Sequence, residues 1–521
     1  MARTQAGAPA RGDTLAPARP AARAGALERL REHWAPLVVG ALTLLALGLR
    51  LVLVRDSLNG DELFMFNIVH DRSLGDAMSI VRETEKTPPL YFLLVWVSSK
   101  LGDPLVWSRL PSLLFGTALV PLAYVLGSRT VGKVAAVVGA GMLALGPFAI
   151  FYATENRAYA GVAFLVGLSM FFLLRAIDTR SRGWWAAYVL AVVAVIYTHY
   201  IGVFVLLAQT AWAFWTQRER LRELLVVHAL IVLAFLPWLP SYLVQQDHSG
   251  AEARRIALLV PPSAEYLGNI NVRMLFGHPS FQLSEVPGRA AAVLGIALIL
   301  AAAAAAALRA WRGRAGGLDL SSPIALLVLA TLASPIGVTL LSVRPDMSFM
   351  LARNLSASLV PAVLLVAWLL VSLGRRAAIP AVAVMFAILS TGAVQSLEQE
   401  KRRTPWREIA EFIDTRARPG DAVLQHFFIE QSGAPGRVLT NYFERPHPFF
   451  STPPAREEDR AWARALRGAH VFVVWPLAGL LASTEHAAPR DGPGDRFVKV
   501  AEVRYNAWLD VLVAEYALRE K

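Results

Sequence analysis

Apolar residues run in long blocks between residues 37 and 394, and short loops rich in arginine separate them. The blocks 37–54, 105–126, 134–151, 158–174, 224–243, 290–308, 324–343, 355–373 and 379–394 approach the roughly 20 residues that a bilayer core requires. Residues 184–215 are enough for two shorter spans, broken near Thr198-His199-Tyr200. Residues 89–101 are apolar but too short to cross easily. If that segment stays on one side, Arg129, Lys133, Arg175, Arg180, Arg218, Arg312 and Arg375 all fall on the face of the N-terminal arginines. The positive-inside rule puts that face in the cytoplasm. The pattern therefore predicts about eleven crossings, with the N-terminus inside and the C-terminus outside.

The loops between blocks carry structure of their own. Residues 55–88 form a first outer loop that is amphipathic in part, with Leu63, Phe64, Phe66, Ile68 and Val69 among polar residues, as in an interfacial helix. Residues 244–287 read as a second outer loop. Residues 1–35, rich in Ala, Arg and Pro, read as a disordered cytoplasmic tail and not as a cleaved signal peptide. After residue 394 the pattern changes. Trp406, Ile409, Ala410 and Ile413 recur at helical spacing, and residues 418–421 form a turn. Residues 422–424, 470–475 and 508–513 then read as strands. The expected fold is a polytopic α-helical membrane domain over 36–394, followed by a small extracytoplasmic α/β domain over 395–521.

Composition agrees. Of 521 residues, 55% are hydrophobic and 17% charged, well below the charged share of soluble domains. A net charge of +12 would suggest nucleic acid in a soluble protein, but here the arginines sit at span ends, so topology explains it and no nucleic-acid partner is expected. There is no cysteine, which excludes disulfides and thiolate chemistry. No P-loop, dinucleotide fingerprint or HExxH spacing occurs. No internal repeat supports a transporter built on inverted repeats.

Two polar stretches stand out at span ends. Gly60-Asp61-Glu62 follows the first span, and Tyr152-Ala153-Thr154-Glu155-Asn156-Arg157 closes a later one on the same predicted face. Carboxylates beside a bilayer must be solvated, paired or used. Asp61 could simply cap the helix that follows, and Glu155 and Arg157 could form an interfacial ion pair. Together, a carboxylate pair and a Glu/Arg cluster suit a reaction with a base for an attacking hydroxyl and a guanidinium for a phosphate leaving group. Lys86 precedes Pro88-Pro89 and could equally be a snorkelling lysine. Arg353 lies on the outer side, against the charge bias, and so needs a partner or an anion. His199 and Tyr200 sit at a helix break, where a structural role is the simpler alternative.

These motifs resemble the GT-C class of membrane glycosyltransferases, in particular the bacterial group of protein O-mannosyltransferases, lipid A aminoarabinose transferases and Rgt-type lipopolysaccharide sugar transferases. The residues that carry the resemblance are Gly60-Asp61-Glu62, Thr87-Pro88-Pro89-Leu90-Tyr91, Ser108-Arg109-Leu110-Pro111-Ser112-Leu113, and the stretch from Tyr152 to Ala160. Thr198-His199-Tyr200 and Ala352-Arg353-Asn354 match more loosely. The resemblance implies an inverting transfer of a hexose or pentose from a polyprenyl-phosphate sugar to a hydroxyl of a lipid, envelope glycan or protein, on the outer face of the plasma membrane. It implies Asp61 as base with Glu62 beside it. It also implies Lys86, Tyr91, Glu155, Arg157, Tyr159, His199, Tyr200 and Arg353 around donor and acceptor. In the aminoarabinose branch a lysine directly precedes the proline pair, whereas here Thr87 intervenes. Metal dependence differs between branches, and no divalent metal is assigned. A glycan ligase, or a flippase for a polyprenyl-linked sugar, is the alternative.

Overall fold

The computed structural model describes residues 20–312, 319, 321–426, 438–452, 470–478, 497–507 and 509–519. The first helix, α1 (Pro20–Leu53), starts inside the segment expected to be disordered, where alanine, leucine and arginine favour helix. Residues 1–19 lie outside the described residues. Helices α2 (Asp61–Val69), α3 (Leu74–Thr84) and α4 (Leu90–Ser98) fill the first outer loop and the short apolar segment after it. None is long enough to cross. Ser73 caps α3 by accepting from the Asp76 N–H at 3.2 Å. The expected interfacial helix is thus two helices, α2 and α3.

The bundle continues through α5 (Pro104–Trp107), α6 (Leu110–Thr130), α7 (Lys133–Leu145) and α8 (Pro147–Ala153). The expected single run over 134–151 is bent by 60° between α7 and α8. Gly146-Pro147 causes the bend, because Pro147 has no N–H to continue the ladder. After α9 (Tyr159–Thr179), α10 (Arg182–Thr198) and α11 (Gly202–Thr216) flank the break expected at His199, whose backbone is extended. Then come α12 (Leu221–Phe235), α13 (Leu239–Leu259) and α14 (Ala264–Phe276). Much of the expected loop over 244–287 is therefore helical. Its polar residues do not break a helix, and α13 ends only before Pro261-Pro262. The bundle closes with α15 (Arg289–Arg312), α16 (Pro323–Leu341), α17 (Leu359–Ser372) and α18 (Arg375–Gln395).

Among the described residues 8 helices are long and apolar enough to cross a membrane, or 9 if the bent pair counts as one. The two shorter spans expected over 184–215 are the apolar helices α10 and α11, which fall below that length. Large apolar side chains such as Leu44, Leu190 and Leu340 remain more than two-thirds exposed, as a surface facing lipid requires. The chain is a multi-pass membrane protein. Its interior packs α6, α7, α9 and α17 around Leu119, Val138, Val166 and Leu364.

Beyond the bundle, α19 (Trp406–Arg416) buries Trp406, Ile409, Ala410 and Ile413, the positions with helical spacing. The strands are β1 (Ala422–His426), β2 (Phe449–Thr452), β3 (Val471–Ala478), β4 (Phe497–Tyr505) and β5 (Asp510–Leu518). They pair in the order β2-β1-β3-β5-β4. β1 is parallel to β2 and β3, and β5 is antiparallel to β3 and β4. Val423, Phe472, Val474, Val511 and Val513 share one sheet face and pack with α19 and with Leu58, Leu63 and Phe66 near α2. The first strand of the expected three is longer than read, β2 and β4 are additional, and Trp508 lies outside the described residues.

Close helix approach sets one sharp constraint. A Cβ added at Gly116 in α6 would lie 2.2 Å from the Ala153 Cβ and 2.8 Å from its Cα, directly before the Thr154–Arg157 turn. By contrast, nothing lies within 4 Å of a Cβ added at Gly40 in α1. We expect Gly116→Ala to destabilise by about 1–3 kcal/mol through overpacking. Gly40→Ala should be neutral or stabilising by up to about 1 kcal/mol, since it only improves helix propensity. Thermal unfolding of the two purified variants in one detergent checks the contrast.

Candidate active site

Gly60 adopts φ 50° and ψ −122°, a conformation suited to glycine, and turns the chain so that Asp61 opens α2. Asp61 is therefore the first helical residue and not the cap. Its carboxylate, 30% exposed, forms an ion pair with Arg353. Glu62 is the next residue, about 100° further round the helix, and its carboxylate is only 1% exposed. Two neighbours in sequence are thus divided between an open side and a closed one.

On the closed side Glu62 is fully engaged. Its Oε1 accepts from Arg109 Nε at 2.7 Å and from the Asn156 N–H at 2.7 Å. Its Oε2 accepts from Arg109 Nη2 at 2.6 Å and the Asn59 N–H at 3.2 Å, and pairs with Arg403 Nε at 3.1 Å. Arg109, at the start of α6, uses its remaining donors on the carbonyls of Val54, Asp56 and Ser57. All five guanidinium N–H groups are then satisfied. Burial alone would raise the Glu62 pKa, but the charges of Arg109 and Arg403 and the bonds from Arg109 and Asn156 hold it below the ordinary value.

The Asn156 contact draws the 154–157 turn against α2. There Glu155 has one carboxylate oxygen, Oε2, buried with no hydrogen-bond partner. Burial and the negative charge of Glu62 push its pKa up to about 8, against the opposing pull of Arg403. Glu155 is accordingly held largely as the neutral acid near pH 7. Arg157 makes no side-chain ion pair with the other described residues, while burial is outweighed by Tyr159, Asp61 and Glu85, which favour its charged form. Its backbone is fixed from below: Tyr91 donates to Ser112 Oγ at 2.5 Å, and Ser112 donates to the Arg157 carbonyl at 2.9 Å. Tyr91 is buried, so its role here is to hold the turn.

Aromatic residues line the adjoining side. The Tyr152 and Tyr159 rings are 5.0 Å apart, and Tyr159 and His199 are 5.4 Å apart. Burial, Arg157 and Arg353 lower the His199 pKa to about 3, so the ring is neutral. His199 Nδ1 accepts from the Ile201 N–H at 3.3 Å, which leaves the ring proton on Nε2 as a donor. Tyr200 is engaged elsewhere: it donates to Gln245 at 2.7 Å and accepts from Trp238 at 2.9 Å. Lys86 stands half-buried in the link between α3 and α4, beside Thr87, whose carbonyl accepts from Gln245 at 3.4 Å. Among the described residues no three His, Asp or Glu side chains converge to hold a metal ion.

Asp61, Glu155, Arg157, Tyr159, His199 and Arg353 thus form one interacting cluster, with Glu62 and Tyr91 holding the elements that carry it. Two residues of the assembly were not singled out from sequence. Arg109 lies within a quoted motif, but its location at a span start gave it no role. Arg403 belongs to a basic run after the last span, and the reasoning applied to Arg353, an arginine on the outer side, applies equally to it.

A family model for dolichyl-phosphate-mannose-protein mannosyltransferases matches residues 86–242. Among curated proteins nothing matches the chain. Among solved structures, the apo form of ArnT from Cupriavidus metallidurans superposes with TM-score 0.54 at 16% identity, covering 93% of this chain and 98% of that one. The same protein bound to undecaprenyl phosphate gives TM-score 0.51 at 14% identity, with 92% and 98% covered. The archaeal oligosaccharyltransferase AglB from Archaeoglobus fulgidus, in complex with an inhibitory peptide and a dolichol-phosphate, gives 0.51 at 11% identity, covering 85% and 70%. In its fold and in the matched segment, the chain is similar to the membrane glycosyltransferases of the GT-C class.

Proposed function

We propose that this protein transfers a sugar, a hexose or pentose, from a polyprenyl-phosphate donor to a hydroxyl of a lipid, envelope glycan or protein at the outer face of the plasma membrane. One observation carries the reading: a partly exposed carboxylate, Asp61, pairs with Arg353 and acts electrostatically on Arg157, which makes no side-chain ion pair with the other described residues. A base beside anion-binding groups is what displacement of a phosphate by a hydroxyl needs. That structural neighbours hold undecaprenyl phosphate and dolichol-phosphate supports the donor class.

In this mechanism the acceptor oxygen attacks the anomeric carbon and forms the new C–O bond. The bond from that carbon to the phosphate oxygen breaks, and polyprenyl phosphate leaves with the electron pair. Asp61 takes the acceptor proton, and the anomeric configuration inverts. Arg157 and Arg353 receive the phosphate, and Arg353 moving toward it frees Asp61 to act. Glu155, as a neutral acid, donates a hydrogen bond to a sugar oxygen. Glu62 holds the site and takes no part in proton transfer. The arginine-rich loops join at the opposite end of the bundle, where Arg129 pairs with Asp178 at 2.7 Å and Arg220 donates to the Ile177 carbonyl at 2.9 Å. That end is the cytoplasmic face by charge.

Asp61→Asn should fold, bind donor and lose roughly two to four orders of magnitude in turnover. Single-turnover assays with a panel of labelled polyprenyl-phosphate sugars measure this, and near-normal turnover at saturation would remove Asp61 as the base. Glu155 gives a second, pH-dependent outcome. The folded state keeps it protonated to higher pH than the unfolded chain does. Its contribution to stability is therefore full below the ordinary glutamate range and is lost as pH rises through about 8. Glu155→Gln removes that loss, so its melting temperature relative to wild type should rise from about pH 5 to about pH 9. A constant difference across that range would show that Glu155 ionises normally.

A further inference from the structure

The chain that leaves the last bundle helix closes over the loop that carries Asp61. Asp56 pairs with Arg402. Ser57 Oγ accepts from the Arg407 N–H at 3.0 Å. The Leu58 N–H donates to the Tyr442 hydroxyl at 2.6 Å. Asn59 Oδ1 accepts from Trp406 Nε1 at 2.7 Å. Every residue from Asp56 to Asn59 is thus bonded to the segment between Arg402 and Tyr442.

Arg403 goes further than the rest. Its Nε pairs with Glu62, and its Nη1 donates to Thr154 Oγ1 at 3.4 Å. Its guanidinium carbon lies 4.8 Å from the centre of the Phe151 ring. It is 5% exposed. One side chain from the start of the outer domain therefore touches both α2 and the turn that presents Glu155 and Arg157. These two elements are distant in sequence, and apart from Arg403 the Asn156 N–H is what joins Glu62 to the turn.

We propose that Arg403 is a positioning residue: it fixes the 54–62 loop against the 152–157 turn and thereby sets the spacing between Asp61 and the Glu155–Arg157 pair. The α/β domain is then part of the active-site scaffold. The catalytic consequence rests on the transferase reading above, but the geometric claim does not. A lysine at 403 would keep a charge near Glu62 without a fork able to reach Thr154 as well. A glutamine would leave Glu62 one cation short.

Hydrogen exchange of the full-length protein in detergent tests this, comparing wild type with Arg403→Gln, Arg403→Lys and Trp406→Phe. Arg403→Gln should speed exchange in 54–62 and 152–157 roughly tenfold or more, with α19 and β1 unchanged. Arg403→Lys should give an intermediate effect. Trp406→Phe keeps a ring in the core and removes the bond to Asn59, so it should loosen 54–62 alone. In donor-consumption assays Arg403→Gln should lower kcat by a larger factor than it raises the donor KM, because Arg353, outside both loosened segments, still receives the donor phosphate. Unchanged exchange in 54–62 and 152–157 in Arg403→Gln overturns the proposal, as does a rise that spreads through α19 and the sheet in both Arg403→Gln and Arg403→Lys. Loosened loops in a protein whose wild type consumes no donor would uphold the positioning and remove the transferase reading.

Discussion

A carboxylate buried to 1% exposure must be surrounded before the rest of the site can exist. An unpaired charge in such a place costs several kcal/mol even after relaxation. Glu62 meets this demand with two arginines and two backbone N–H groups drawn from four parts of the chain. The four are the loop before α2, the start of α6, the turn after α8 and the segment that leads into α19. The same dependence holds for Arg109, which would otherwise be a buried cation near the membrane boundary. Each partner is therefore a condition for the other. Assembly of the site is bound to assembly of the fold, and Asp61 takes its orientation from its neighbour's burial.

The charge distribution follows from this arrangement. Four guanidinium groups, Arg109, Arg157, Arg353 and Arg403, surround three carboxylates, Asp61, Glu62 and Glu155. Glu62 absorbs Arg109 and Arg403, and Asp61 holds Arg353. Glu155 is left with burial and like charges as the dominant influences, which keep its proton on. Among these seven groups the excess is positive, shared between the Arg109–Glu62–Arg403 cluster and Arg157. A resting site with surplus cations suits an anionic ligand, and a phosphate entering it would meet a neutral acid instead of a third carboxylate.

The fold was legible because spans are written as uninterrupted apolar runs. Even the paired short helices around His199 followed from the length of residues 184–215. The helices α13 and α14 were not legible as structure, because their polarity suggests a loop, and Gly250 and Gly268 fall inside them without ending them. β2 is too short to show an alternating pattern, and the alternation of β4 is broken by an irregularity between Lys499 and Ala501. For the site, position at span ends identified Asp61, Glu155, Arg157 and Arg353. Sequence set Asp61 apart from Glu62 as the base, but it could not show that Glu62 is buried between Arg109 and Arg403, because both arginines are tertiary partners. Nor could it show that Tyr200 and Tyr91 are occupied by Gln245 and Ser112, which are tertiary partners. Arg403 was hidden because its targets lie hundreds of residues away.

The helix at the centre of this arrangement is also its least self-sufficient part. α2 has 9 residues, with no side-chain cap at its start. A helix that short is not stable alone in water, so its stability must come from what it packs against. Leu63 and Phe66 belong to the core shared with α19 and the sheet, whereas Met65, Ile68 and Val69 belong to the core shared with α3 and α4. The helix is thus clamped between the α/β domain and the helices α3 and α4, with Glu62 anchoring its first turn to the bundle. Asp61 is the position on that first turn left open, and its rigidity is inherited from three different packing partners. A carboxylate meant to accept a proton at a fixed point benefits from such support, because a flexible loop would leave its distance to the reacting hydroxyl undefined.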